Sequence, residues 1–221
     1  MVPCFFRILN LGPVQYILIC MEPSLGRWAP TAEVARSRLA AGFRNFLFTL
    51  EDQMLHFCIR RNLCRVSERY HITDLSKGAM LVSEARRERT SRYNEWYPLL
   101  QDEIDLCTTS SGRLIAVGKE VFNYLEPRLS PRPITQIIHY SGQAAAARAR
   151  GIVGREDSFQ AFKDSVSLED VIATARDVFN SAGTPPELRD EFLSRLMNSR
   201  LTDSRRRLIF NYKLAFESMK S

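Results

Sequence analysis

Four short apolar runs in this chain each end on residues able to do chemistry. The first ends in Cys20-Met21-Glu22-Pro23-Ser24, the second in Ile72-Thr73-Asp74-Leu75, the third in Val117-Gly118-Lys119 and the fourth in His139-Tyr140-Ser141-Gly142-Gln143. A carboxylate and an imidazole carried at neighbouring strand ends can perform acid–base or electrostatic catalysis. Glu22 and His139 are the candidates for that pair. His56 and His71 are weaker ones: His56 falls opposite the Leu50, Met54 and Phe57 face of its helix and is expected in solvent, and His71 precedes Asp74 within the second run.

The elements that position these groups follow from pattern. Val14 to Met21 is β-branched and almost wholly apolar, as for a central parallel strand covered on both faces. Arg69 to Leu75, Arg113 to Val117 and Ile134 to His139 read as three further strands. Helical spacing connects them: about Phe46 to Leu63, a charged stretch with Arg86, Arg87, Arg89 and Arg92, then Lys119 to Leu125. The alanine-rich run from Gln143 to Arg150 has strong helix propensity. Strands alternating with helices predict an α/β fold, a three-layer α/β/α sandwich around a four-stranded parallel sheet, over residues 1–150. Residues 151–221 read as helices only and are expected to pack on the same domain, with Gly183 as a stop, Pro185 and Pro186 opening a helix, and the last helix beginning near Arg205, Arg206 and Arg207.

Composition excludes more than it assigns. The chain has 221 residues, 45% of them hydrophobic, and a net charge of +6. That content is too apolar for intrinsic disorder, and the charge suits a polyanionic partner without requiring one. Arg7, Asn10, Gly12, Pro13 and Gln15 interrupt the apolar N-terminus, which therefore predicts neither a secretion signal nor a membrane anchor and a cytoplasmic location. Cys4, Cys20, Cys58, Cys64 and Cys107 show no metal-ligand spacing and are expected as reduced, mostly buried thiols.

The order of the four strand ends resembles the uracil-DNA glycosylase superfamily. Its first motif is a turn of the type Gly-Gln-Asp-Pro-Tyr or Gly-Met-Asn-Pro-Gly, and its last is His-Pro-Ser; Cys-Met-Glu-Pro-Ser and His-Tyr-Ser stand here in the same order. Ile72-Thr73-Asp74 is similar to the Ile-Thr-Asn strand end, and Arg113 to Leu125 to the third-strand segment. The resemblance covers about residues 14 to 150. Cys20 stands in place of glycine, Glu22 of Asp or Asn, Asp74 of Asn and Tyr140 of Pro.

That resemblance implies hydrolysis of the bond between a damaged base and deoxyribose after the nucleotide is flipped from the duplex, by a monofunctional enzyme acting as a monomer without metal or cofactor. Glu22 would place negative charge or an activated water below the sugar, and His139 would donate to uracil O2. Phe46 or Phe43 would stack on the base, and Met21 and Ser24 would join the base pocket, Ser24 leaving open the space that excludes thymine in some relatives. Ser141, Arg148, Arg150, Lys77 and Lys119 would meet DNA phosphates and Gln143 would fill the gap in the duplex. Asp74 either carries a proton when base is bound, reads a ring N–H alone, or prefers another base, since an ionised carboxylate only accepts; as a plain alternative it caps the following helix. Two other readings stay open: a catalytically silent DNA-binding module of the same fold, and a different α/β hydrolase or transferase acting on a small nucleotide.

Overall fold

The computed structural model describes residues 13–25, 29–85 and 87–220. The chain order begins β1 (Val14–Cys20), β2 (Ser24–Leu25), α1 (Ala32–Ala40) and α2 (Leu50–Cys58), which runs on as a π-helical turn over Ile59–Leu63. There follow β3 (Tyr70–Asp74), β4 (Met80–Leu81), α3 (Val82–Ala85), α4 (Arg89–Cys107), β5 (Thr108–Val117), α5 (Lys119–Leu129) and β6 (Ile134–Ile137). The last elements are α6 (Ala145–Arg150), α7 (Glu156–Lys163), α8 (Leu168–Ser181), α9 (Pro186–Met197) and α10 (Asp203–Ser218). All four expected strands are present, and the fold class is α/β, a four-stranded parallel sheet with helices around it. The chain divides into two compact units: residues up to 45 with 68–136, and 46–67 with 137–221. This division differs from a boundary at 150, because α2 belongs with the C-terminal helices.

The first unit holds the sheet, in the order β3-β1-β5-β6. Tyr16 to Cys20 of β1 run in parallel register with Tyr70 to Asp74 of β3, and Tyr16 to Ile19 with Arg113 to Ala116 of β5. Side chains alternate between faces. Ile17, Ile19, Leu114 and Ala116 pack with Tyr93, Leu100 and Ile104 of α4 and with Val121 and Leu125 of α5. Leu18 and Ile115, of opposite parity, are fully buried too, so these strands are covered on both faces, which is why they read as unbroken apolar runs. Strand β5 starts earlier than its apolar run predicts. Thr108 donates its hydroxyl to the Val14 carbonyl at 2.6 Å, and the register with β1 shifts there.

One helix escapes the periodicity altogether. Only Ala35 of α1 is buried, so α1 has no apolar stripe to detect; it is started by Thr31, whose hydroxyl accepts from the Val34 N–H.

The second unit is built on α2, which packs against α8 and α10 and is buried on every side from Asp52 to Cys58. Its N-terminus is closed by a capping box between Thr49 and Asp52, and that of α8 by the same device between Ser167 and Asp170. Val171, Ile172, Ala175, Val178 and Phe179 form the buried stripe of α8, as their spacing predicts. Among the described residues no helix is long and apolar enough to cross a membrane.

Candidate active site

In a parallel sheet with this strand order, ligands gather where successive crossovers leave in opposite directions, here beyond the carboxyl ends of β1 and β5. Glu22 lies two residues past β1, and Gly118, with φ +105°, turns the chain from β5 into α5. The Glu22 side chain is only 4% exposed, not the solvated turn residue its setting allows. Arg89 of α4 donates from Nη2 to Glu22 Oε1 at 2.8 Å, and Tyr93, one helical turn later, donates its hydroxyl to Oε2 at 3.1 Å. Arg89 also reaches Glu120 of α5, so one guanidinium ties together the ends of β1 and β5. Neither Arg89 nor Tyr93 was singled out by sequence as a site residue, although their i,i+4 spacing places both on one helix face.

Asp74 ends β3 directly beside Cys20 of β1. Its side chain is buried, and Asn45 donates from Nδ2 to Asp74 Oδ2 at 2.8 Å. Burial pushes the Asp74 carboxyl up to about 8, Glu22 and Glu103 adding to the rise while Lys77 and Asn45 oppose it. Enclosure thus favours the protonated form of Asp74.

On the opposite face of β3 lies a closed polar cluster. His71 Nε2 meets Glu103 Oε1 of α4 at 2.8 Å, and the Thr73 hydroxyl donates to the same carboxylate at 2.9 Å. Lys77, expected at a DNA phosphate, is instead buried. Its ammonium donates to Thr73 Oγ1 at 2.5 Å, to the Asp74 backbone carbonyl at 2.6 Å, and to Glu103. Those three bonds use all three of its hydrogens. Burial raises the Glu103 carboxyl, but the His71 hydrogen bond and the Lys77 charge overcome it and bring the group down to about 2.

The second unit presents His139 on a braced loop. The Ser141 N–H donates to His139 Nδ1 at 2.9 Å, so the neutral ring carries its hydrogen on Nε2. The ring stacks on Tyr140 with centroids 4.7 Å apart. Arg148, also expected at a phosphate, is turned inward and donates to the carbonyls of Tyr140 and Ser141, while the Tyr212 hydroxyl donates to the Ile138 carbonyl at 3.0 Å. An Arg148→Met variant leaves both carbonyls without that donor. Expected is a loss of about 1–3 kcal/mol of stability in urea unfolding, with amide exchange at Tyr140 to Gly142 speeding up more than elsewhere in the unit; uniform exchange would show that Arg148 does not brace this loop.

The remaining expected residues divide by placement. Phe43 and Phe46 are buried, and Phe46 holds a left-handed backbone at φ +64°, a strained state for a phenylalanine. His56 fixes that turn: its Nε2 lies 2.9 Å from the Phe46 carbonyl, and Gln53 donates to the carbonyl of Leu47. The expectation of a solvated His56 is thus corrected. Its helix is enclosed all round rather than amphipathic, and burial pulls the imidazole down to about 4.

Met21 packs partly buried against the sheet core and Ser24 is exposed in β2. Lys119 and Arg150 are exposed, Ser141 is half-buried, and the side chain of Gln143 lies outside the described residues, as does Arg86. Arg92 and Arg205 are engaged internally: Arg92 donates to the carbonyls of Ala85 and Arg87, and Arg205 pairs with Glu51 at 2.8 Å.

No protein-family model, no curated protein and no solved structure matches this chain.

Proposed function

We propose that the protein is a DNA glycosylase that hydrolyses the N-glycosidic bond of uracil and related deaminated bases, acting as a cytoplasmic monomer without metal or cofactor. The observation that carries this reading is the pair of differently held acids at adjacent strand ends: Glu22, held by Arg89 and Tyr93, and Asp74, buried and bonded to the Asn45 amide. Breaking the bond sends its electron pair to the base and leaves an oxocarbenium-like sugar that water then attacks. Among the described residues, Arg89 and Tyr93 occupy two of the roughly four lone-pair positions of the Glu22 carboxylate. The others suit an attacking water and the positive sugar. A neutral Asp74 offers both an O–H donor and a C=O acceptor, the combination that the asparagine of similar strand ends presents to uracil O4 and N3–H.

The pH profile tests the Asp74 role. The protonated acid is the competent form, so uracil release from an oligonucleotide is expected to hold through neutrality and to fall as pH rises past about 8. Asp74→Asn, which cannot ionise, is expected to retain release and lose that alkaline limb. Absence of base release from uracil, hypoxanthine and xanthine oligonucleotides alike would overturn the glycosylase reading.

The Arg89 ion pair, which offsets the charge of Glu22, favours one other reading: a module that binds deaminated or abasic DNA without cutting the glycosidic bond. Tight binding that weakens steeply with salt, without release of base, selects it.

A further inference from the structure

We propose that Asn45 is a specificity-determining positioning residue, fixing which oxygen of the Asp74 carboxyl bears the proton so that the acid reads a lactam edge, a ring N–H beside a carbonyl oxygen. The proposal deepens the glycosylase reading and rests on it for the identity of the ligand.

The Asp74 carboxyl is buried, and among the described residues the side chain bonded to it is a neutral amide, Asn45 Nδ2 to Oδ2 at 2.8 Å. The nearby cation does not neutralise it directly. Lys77 directs its hydrogens to Thr73 Oγ1, to Glu103 and to the backbone carbonyl of Asp74, leaving the carboxyl aside. Two acids also act on Asp74, Glu22 beyond β1 and Glu103 on α4. A carboxyl so enclosed lowers its free energy by keeping its proton.

The amide then decides where that proton sits. An oxygen that accepts from N–H must offer a lone pair, and a hydroxyl hydrogen on that same atom would compete with the amide for space. Oδ2 is therefore the carbonyl oxygen and Oδ1 carries the hydrogen. The acid presents an ordered pair, a donor at Oδ1 and an acceptor at the second lone pair of Oδ2.

Uracil at O4 and N3–H offers the complementary order, and hypoxanthine and xanthine offer it at O6 and N1–H. Cytosine and adenine offer the reverse, an amino donor beside a bare ring nitrogen. Reversal would set donor against donor, a loss that polar sites convert into strong discrimination. Asn45 lies 29 positions from Asp74 in sequence, in the turn after α1, and no strand-end motif includes it.

The test uses the full chain and Asn45→Leu, with Asn45→Ser as the second variant should leucine disturb the turn. Losing the amide is expected to lower kcat/KM on a uracil oligonucleotide roughly tenfold at neutral pH, and by a similar factor on a hypoxanthine one. Because Asn45 opposes the rise of the Asp74 carboxyl, the alkaline limb is expected to move to higher pH in the variant. A merely structural role for Asn45 would lower activity and leave that limb in place. Infrared spectra of the parent are expected to show the carbonyl stretch of a protonated carboxylic acid at neutral pH, absent from Asp74→Asn and shifted in Asn45→Leu. A parent that releases uracil, with an alkaline limb unmoved by both Asn45 variants, overturns the proposal and leaves the glycosylase reading standing. A missing carboxylic-acid band also overturns it. A parent that releases no base overturns the glycosylase reading, and the band shift then decides alone whether Asn45 fixes the proton.

Discussion

Glu22→Gln is expected to slow uracil release by about 10²–10³-fold, the usual cost of removing one preorganised electrostatic group from a reacting centre. Glutamine keeps the length and shape of the side chain and retains an oxygen to accept from the Tyr93 hydroxyl, so the turn after β1 should persist. What it loses is the charge facing the sugar and the ion pair with Arg89, which keeps Glu120 as its other partner. The interaction with the sugar strengthens only as positive charge develops, so kcat should carry the loss and KM should change little. Single-turnover release from a uracil oligonucleotide measures it. A Glu22→Gln chain as fast as the parent would reduce Glu22 to a structural partner of Arg89 and remove the catalytic carboxylate from the proposed function.

The difference between what was legible in sequence and what was not lies in the range of the interactions. Strand β1 and the Leu114–Val117 end of β5 are visible because burial of both faces forces unbroken apolar runs, β3 and β6 as shorter runs bounded by turn residues, and the stripe of α8 because only one of its faces is covered. The strand ends, and with them Glu22 and Asp74, follow at once. Helix α1 is invisible for the opposite reason, having almost nothing to bury, and α2 misleads about His56 because periodicity assumes a wet face that α2 lacks. The chemistry of each acid was less legible still. That the Asp74 carboxyl is pushed up depends on its burial, on Glu22 just past β1 and on Glu103 from α4, against the opposing Lys77 and the Asn45 amide from the turn after α1. That Lys77 is buried and bonded internally depends on a helix beginning 12 positions after it. A lysine at a strand end reads as a surface cation until a carboxylate from elsewhere draws it inward.

The same cluster is where a single substitution should cost the most stability. Glu103→Leu is expected to destabilise the chain by about 3–5 kcal/mol, because it leaves the Lys77 ammonium buried without a counter-charge. Lys77 is 4% exposed at its side chain and keeps only two neutral acceptors, Thr73 Oγ1 and the Asp74 carbonyl. The mirror variant, Lys77→Met, should cost less. Its uncompensated partner, Glu103, is 18% exposed and retains His71 and Thr73 as hydrogen-bond donors. Acid titration gives the sign independently. Folding holds the Glu103 carboxyl down at about 2, so its contribution is complete above the ordinary carboxylate range and is lost as pH falls through that range towards 2. Urea midpoints taken at descending pH should therefore converge for the parent and Glu103→Leu at the acid end and separate towards neutrality. Parallel curves, or a larger loss from Lys77→Met than from Glu103→Leu, would show that the cluster is held by packing rather than by charge. The outcome bears on the site as well as on stability, because the Lys77 ammonium that Glu103 neutralises is also the donor that pins the backbone carbonyl of Asp74.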